Sequence, residues 1–258
     1  MDEINSKTQQ ENFKELSEMI AASKRIVAFT GAGVSTESDI PDFRSARGVY
    51  ESIQKQYGLP AETLLSHSFF SAHPEIFFDY LRRYLVFPDA QPNDAHKSLA
   101  ALERKGIVSG VVTQNIDGLH TKAGSSNLCE LHGSIHRNFC VHCKKRYPLD
   151  FVLSSSTIPR CTDCGGIVRP DVVLYEEPLD GVVMEKAAAE ITRADMLLIM
   201  GTSLAVYPAA GFIEYFRGDN IVIVNKDETP YDRRAKLCIN ALAGQTLRSA
   251  LEMLNIDL

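Results

Sequence analysis

The sequence predicts an α/β fold: one doubly wound parallel sheet that carries two insertions. Three observations predict it: apolar runs that alternate with helical patterns, a glycine turn directly after the first run, and two C-x-x-C pairs in a segment that breaks the alternation. The runs are IVAFT at 26–30, IVSGVVT at 107–113, NLCEL at 127–131, MLLIMGT at 196–202 and NIVIVN at 220–225. Most are apolar throughout, as strands covered on both faces by crossover helices must be.

Helical patterns fall between the runs, at 11–23, 74–86, 93–105, 184–194, 208–217 and 246–255. The helix from 93 has Asn93 or Asp94 to cap it and sets Ala95, Leu99 and Leu102 on one face. Two segments stand outside the alternation. Residues 44–85 carry helices and loops without a strand, and 134–168 are dominated by cysteine pairs, basic residues and serines. Both are expected to be insertions that leave strand ends and meet at the carboxyl edge of the sheet, where ligands bind in such folds.

At 258 residues and 45% hydrophobic composition, the chain can bury roughly 70 to 75% of its unfolded surface. No run approaches the ~18 apolar residues of a membrane span, and the N-terminus MDEINSKTQQEN lacks the basic and apolar regions of a secretion signal. A cytoplasmic protein with no membrane partner is expected. The formal charge of -6 argues against nucleic acid as a main partner, and a monomer is expected.

Six cysteines without a secretion signal point to metal ligands or buried thiols rather than disulfides. Cys140 and Cys143 form one C-x-x-C, Cys161 and Cys164 another, with 17 residues between the pairs. Each tight turn presents two thiolates, and two turns complete a tetrahedron around Zn²⁺ with no open position, so the metal is structural. His142 and Asp163 read as loop residues, while Cys129 and Cys238, in strand-like runs, read as small buried hydrophobes.

The turn GAGVS places Gly31 and Gly33 after the first strand, where a backbone can approach a pyrophosphate, yet Thr36 stands where a G-x-G-x-x-G fingerprint has its third glycine. A polar run to Pro41-Asp42-Phe43-Arg44 follows, in the manner of a mobile lid. A second small-residue turn, Gly201-Thr202-Ser203, and a polar strand end at Asn225-Lys226 strengthen the nucleotide reading. TQNIDGLH sets Gln114, Asn115, Asp117 and His120 at the mouth of another strand, and His132 precedes a glycine on the same edge.

These motifs carry a resemblance. GAGVS with PDFR, TQNIDGLH, LHGS, the two C-x-x-C pairs, RPDVVLYEE, GTSLAVYPAA and the IVN strand end occur in the order of the signatures of the sirtuin family. They span residues 28 to about 230, and the chain resembles most the compact bacterial members. The resemblance implies an NAD-dependent protein lysine deacylase, usually a deacetylase, that yields nicotinamide, O-acyl-ADP-ribose and free lysine. It implies a Rossmann-like NAD-binding domain at 1–43, 86–133 and 169–258, and a small domain built from a helical module at 44–85 and a zinc ribbon at 134–168. NAD would be the co-substrate, one Zn²⁺ the structural metal, and acylated proteins or peptides the partners.

By the same resemblance, Ala32, Thr36, Phe43 and Arg44 contact the cofactor from the first loop. Gln114, Asn115, Ile116 and Asp117 form the nicotinamide and ribose pocket, with Asn115 acting in the chemistry and Asp117 reading the carboxamide. Thr202, Ser203, Asn225 and Lys226 hold the adenosine half, and His132 is the general base. The substrate backbone lies as a strand against Val172, Val173, Leu174 and Tyr175, and Val173 and Tyr175 line the acyl-lysine tunnel. Three departures stand out. Asp39 and Glu176 replace glycines of the family pattern, Asp39 being a residue that tolerates positive φ and Glu176 one that could favour basic residues in the peptide. Tyr80 and Arg83 have the Tyr-x-x-Arg spacing of members that remove acidic acyl groups, although such a pair is ordinarily a half-exposed helix face. The competing readings are protein mono-ADP-ribosyl transfer and a non-catalytic NAD-sensing module.

Overall fold

Nine strands occur among the described residues: β1 (Ile26–Thr30), β2 (Val108–Thr113), β3 (Leu128–Glu130), β4 (Gly133–Cys140), β5 (Arg146–Pro148), β6 (Val168–Val172), β7 (Met196–Met200), β8 (Ile221–Val224) and β9 (Leu237–Ile239). The computed structural model describes residues 2–42 and 47–258, with side chains described from 9 to 42 and from 52 to 258. Six strands form one parallel sheet in the order β3-β2-β1-β7-β8-β9. Numbered within that sheet, the order is 3-2-1-4-5-6, the doubly wound arrangement whose direction of growth reverses between β1 and β7. The five apolar runs are strands of this sheet, and β9 is the short run around Cys238.

Alternation within each strand sorts its residues between two cores. Ile26, Ala28, Met196, Leu198, Val222 and Val224 face the helices Asp2–Ala22, Asp94–Arg104 and Ala243–Met253. Val27, Phe29, Leu197, Ile199, Ile221 and Ile223 face the helix Gly181–Arg193 and a 3₁₀ helix, Ala209–Tyr215, where the sequence suggested an α-helix. A strand covered on both sides has no use for polar alternation, so its sequence is apolar throughout.

The helix Asp94–Arg104 is capped by Asn93, whose Oδ1 accepts from the Ala95 amide at 2.9 Å. The Asn93 Nδ2 donates to the Val34 carbonyl at 2.8 Å and to Ser38 Oγ at 2.9 Å, so the cap also fixes the segment after β1. That segment, Ala32–Ser38, is a 3₁₀ helix. Glu37 holds its other side by accepting the Gly244 amide at 2.7 Å. The first half of the expected lid is therefore clamped; Phe43 and Arg44 lie outside the described residues. Asp39 ends the segment at φ 61°, the left-handed conformation expected of it.

The two misfit segments do meet. Helices Arg47–Tyr57, Ala61–Leu64, His67–Ala72 and Pro74–Tyr80 share one apolar core with an antiparallel sheet, β5-β4-β6: Leu64, Phe77, Phe78 and Leu81 pack with Ile135, Tyr147, Val152 and Val168. Beyond Tyr80 the helix loosens into a π turn, Leu81–Leu85. The strands of this sheet escaped sequence reading because they show neither an apolar run nor a clean alternation: β4 interleaves Ser134, His136, Arg137 and Asn138 with Ile135 and Phe139 and shifts register between Ser134 and Asn138. The 44–85 segment also makes one strand-like contact, a bridge from Ser66 to Tyr175.

At the tip of that sheet the Sγ atoms of Cys140, Cys143, Cys161 and Cys164 lie within 4.8 Å of one another, Cys140 to Cys164 at 3.4 Å and Cys143 to Cys161 at 3.5 Å. Four sulfurs tetrahedrally placed about 2.3 Å from a zinc would be about 3.8 Å apart, whereas a disulfide needs about 2.05 Å. The cluster fits a closed structural zinc. Asp163 instead pairs with Lys145 at 2.5 Å, and His142 stays outside the cluster.

Under the β1 and β2 ends lie two buried histidines, His96 and His120, with ring centroids 4.7 Å apart. His96 Nδ1 meets Asn93 Oδ1 at 3.1 Å, and His120 Nε2 meets Thr30 Oγ1 at 3.0 Å. Burial pushes both well below the ordinary 6.5, His120 to about 4, and the neighbouring His120 adds to the depression of His96.

At the reversal point, Gly201 has φ +58°, and a Cβ there would lie 2.3 Å from the Val34 nitrogen. Gly201→Ala is expected to lower stability by about 2 kcal/mol or more, read as a fall in the thermal midpoint. Metal analysis is expected to find one zinc per chain, and Cys143→Ser to lose it together with the near-UV signal of Tyr147, which donates to Cys161 Sγ at 3.1 Å. For the histidine pair the folded pKa lies below the unfolded one, so between pH about 4 and 6.5 the unfolded chain binds more protons. Stability should therefore be full above pH 6.5 and fall on acidification, by up to about 1.4 kcal/mol per pH unit for each histidine; urea unfolding at a series of pH values measures the slope, and His120→Gln should flatten it.

Candidate active site

The carboxyl ends of β1, β2, β7 and β8 are stitched together by backbone bonds. The Gly31 amide donates to Met200 O at 3.1 Å, Gly33 to Gly201 O at 2.8 Å, Gly201 to Val224 O at 3.0 Å, and Gln114 to Thr30 O at 2.9 Å. The loops that leave these ends carry nearly every residue singled out from the sequence. They line three neighbouring cavities, two of about 450 and 240 Å³ between the parallel sheet and the small domain and one of about 50 Å³ within the parallel-sheet unit itself.

In the largest, Ala32, Gln114, Asn115, Ile116, Asp117 and His132 converge with Val173 and Tyr175. The TQNID loop is built by its own polar side chains. Thr113 Oγ1 accepts the Asn115 amide at 3.0 Å, and Asn115 Nδ2 donates to the Gly31 carbonyl and to Ser35 Oγ, each at 3.1 Å. Ser35 Oγ in turn donates to Asp117 Oδ2 at 2.7 Å, while Asp117 Oδ1 accepts the Leu119 amide at 2.9 Å. Ser35 is thus the link between the glycine turn and the carboxylate. It was not singled out from the sequence, although it stands inside GAGVS.

His132 lies at the end of the third strand, directly before Gly133, where φ is +77° and any Cβ would strike the Asp171 carbonyl. Its Nδ1 contacts the Gln114 carbonyl at 2.8 Å. A carbonyl only accepts, so the proton resides on Nδ1 and the Nε2 lone pair is left for the cavity. Burial lowers the pKa of this ring, against an opposing pull from the Gln114 carbonyl, so it is neutral at neutral pH. Gln114 continues the chain of contacts, its Nε2 donating to Thr202 Oγ1 at 3.0 Å.

The second cavity adds Thr202 and Ser203 to Gln114, Asn115 and His132. The third gathers Thr36, Asn225 and Lys226 around Gly33 and Gly201. Thr36, in the place of the third fingerprint glycine, donates its hydroxyl to Gly33 O at 2.9 Å. The helix packing that glycine would permit is not used here, because a 3₁₀ turn stands in place of an α-helix.

On the small-domain side, the 173–175 backbone is almost fully engaged. The Val173 amide donates to His132 O, Tyr175 donates to Leu65 O and accepts from the His67 amide, and Leu174 donates to Glu177 Oε2, each at 2.9 to 3.0 Å. Of these three residues only the Val173 carbonyl lacks a partner among the described residues. Arg169, buried, binds Glu177 through both terminal nitrogens. Bonds from Arg169, the Leu174 amide and His67 hold the Glu177 carboxyl down at about 2 against the opposing effect of burial.

Two departures from the sirtuin pattern resolve. Glu176 takes φ 76° and accepts from the Ser68 amide and hydroxyl at 2.8 and 2.9 Å, so its carboxylate caps the helix His67–Ala72 instead of standing free for a peptide. Tyr80 and Arg83 part company: Tyr80 is fully buried, whereas Arg83 is exposed and paired with Asp79 at 2.8 Å.

Comparison with known proteins extends this picture. The Sir2 family profile matches residues 31–208. An NAD-dependent protein deacetylase of Clostridium acetobutylicum is 50% identical over 242 residues, covering 93% of this chain and 98% of its own. One from Clostridium perfringens is 52% identical over 243 residues, covering 94% and 99%. A solved Sir2 structure with a deacetylated p53 peptide and 3′-O-acetyl ADP ribose has a TM-score of 0.86 at 38% identity, covering 95% of this chain and 99% of that one. The matched region carries the glycine turns, the TQNID loop, His132 and the cysteine ribbon together, and by that match the chain belongs to the Sir2 family.

Proposed function

We propose that this protein is an NAD-dependent protein-lysine deacylase, with acetyl the leading acyl group, that releases nicotinamide, O-acyl-ADP-ribose and free lysine. The observation that carries the reading is His132, a neutral imidazole fixed by the Gln114 carbonyl, with its free nitrogen left for a cavity bounded by glycine turns. The names of the two clostridial relatives support it.

NAD supplies an electrophilic ribose carbon; the chain's residues hold it and move protons. The amides and close backbone of the glycine turns suit a pyrophosphate. Thr36, Thr202, Ser203, Asn225 and Lys226 would hold the adenosine half, with Ala32, Gln114 and Ile116 lining the path to Asp117. Asp117, oriented by Ser35 and the Leu119 amide, would read the nicotinamide carboxamide. Asn115, tied to Gly31 O and Ser35, would orient the reacting groups. His132 Nε2 would take a proton from a ribose hydroxyl. Phe43 and Arg44, assigned to the cofactor by resemblance, lie outside the described residues. Acyl-lysine would enter beside Val173 and Tyr175, with a peptide amide donating to the unpartnered Val173 carbonyl.

The division by resemblance gives the NAD-binding unit 1–43, 86–133 and 169–258, with 44–85 and 134–168 as the two modules of the small domain; β6, which pairs with β4, extends the sheet of that domain to Val172. We read it as a cytoplasmic monomer acting on acylated proteins, the formal charge of -6 weighing against nucleic acid as a main partner. Among the described residues no helix is long and apolar enough to cross a membrane.

Incubated with NAD and an acetyl-lysine peptide, the protein is expected to remove the acetyl mass from the peptide, and His132→Ala to slow this by roughly 10²–10⁴-fold. Nicotinamide release without peptide, or a gain of ADP-ribose mass on protein, would overturn the reading in favour of ADP-ribosyl transfer; tight NAD binding with no turnover would leave a sensing module.

A further inference from the structure

His136 stands in none of the motifs that build the site, yet it holds one of them from outside. Its Nε2 lies 2.9 Å from the Asp117 carbonyl oxygen. A carbonyl only accepts, so the proton resides on Nε2 and the ring donates; an imidazolium would donate there equally. The ring packs on Gly118, where φ is +74° and a Cβ would sit 2.5 Å from His136 Cδ2 and 2.8 Å from Nε2. Only a residue without a side chain, in the left-handed conformation that glycine tolerates, admits the imidazole to that place.

One residue earlier, the Ile135 amide donates to the Ile116 carbonyl at 3.1 Å. Two successive carbonyls of the TQNID loop are thus bound by two successive residues of β4. That strand starts next to His132, ends at Cys140 of the thiolate cluster and is paired on both sides, with β5 and β6, so it is a stiff support. The His136 amide donates to Ser134 Oγ at 3.2 Å, which fixes the backbone that carries the ring. The Asp117 carboxylate is turned by Ser35 and the Leu119 amide, both in the parallel-sheet unit. Among its bonds between described residues, only the one from its carbonyl reaches the small domain. Asp117 borders both the 450 Å³ cavity and a separate cleft of about 500 Å³, whereas His136 borders the cleft and not the cavity. It would therefore reach a ligand in the cavity only through Asp117.

Resting on the deacylase reading, in which Asp117 reads the nicotinamide carboxamide, we propose that His136 is a positioning residue: it fastens the Asp117 end of the TQNID loop to the small domain and so sets the affinity of the pocket for nicotinamide. Nicotinamide is a product, so it rebinds that pocket and slows turnover. The test is deacetylation of an acetyl-lysine peptide at saturating NAD, titrated with nicotinamide. His136 is itself exposed, so its replacement leaves the cores intact. His136→Ala should raise the nicotinamide inhibition constant about threefold to tenfold, the size of one hydrogen bond, and leave the peptide KM within about twofold of wild type. His136→Gln, whose amide can set an N–H where Nε2 stands, should bring the inhibition constant back to within about twofold. An inhibition constant unmoved in His136→Ala overturns the proposal, as does a Gln variant no better than the Ala one. A peptide KM that rises as much as the inhibition constant also overturns it, marking a loosened small domain rather than a placed loop. If the wild type binds NAD but frees no nicotinamide with the peptide present, the deacylase reading itself has failed and takes this assignment with it.

Discussion

The contact on which the molecule depends is the approach of two strand-end turns at the reversal point of the sheet. Gly31 and Gly33 leave β1; Gly201 and Thr202 leave β7. A Cβ on Gly33 would lie 2.8 Å from Gly201 Cα, and one on Gly31 would lie 2.7 Å from Thr202 Cβ. Only bare backbone lets these turns close on one another. Because the crossovers from β1 and β7 leave toward opposite faces of the sheet, a crevice opens above the contact, and the amides that floor it are held in register by the bonds from Gly31 to Met200 and from Gly201 to Val224.

The polar residues above that floor are arranged by one another. Asn115 reaches Gly31 and Ser35, Ser35 reaches Asp117, Gln114 reaches Thr202, and the Gln114 carbonyl orients His132. Each side chain satisfies a neighbour's backbone or side-chain group, so the loop is rigid before any ligand arrives, and pre-organisation of this kind limits what must be ordered on binding. The same economy explains Thr36. With a 3₁₀ turn held by Asn93 and Glu37, the segment after β1 has no α-helix to pack closely on the sheet and needs no third glycine. A dehydrogenase turn and this one share the two leading glycines and differ in the helix that leaves them, α in the one and 3₁₀ in the other.

The small domain contributes the opposite wall by folding two distant pieces of chain into one core. The segment from Gly133 to Val172 supplies β4, β5 and β6 and a thiolate cluster; the helical module supplies aromatic bulk. Their joint edge is fastened to the segment 173–177 by Arg169, Glu177, Glu176, Ser66 and His67. Among the described residues this latch leaves one carbonyl of 173–175 without a partner, at Val173, so the stretch offers far fewer strand partners than the apolar run Val172–Leu174 suggests.

Much of this was legible in the sequence. Runs such as MLLIM declare strands buried on both faces, paired C-x-x-C turns declare a tetrahedral thiolate site, and glycines and amides at strand ends declare where a nucleotide would lie. These signals are local, because period, spacing and backbone freedom are properties of a few adjacent residues. The strands β4 to β6 gave no such signal, because polar and charged residues interrupt them without a clean alternation. Nor did the sequence tell that Ser35 joins two loops, that Glu176 caps a helix while strained at positive φ, or that Tyr80 turns inward as Arg83 turns out. Those facts depend on which groups, far apart in the chain, arrive within 3 Å of each other. Only the packing of the two domains decides that.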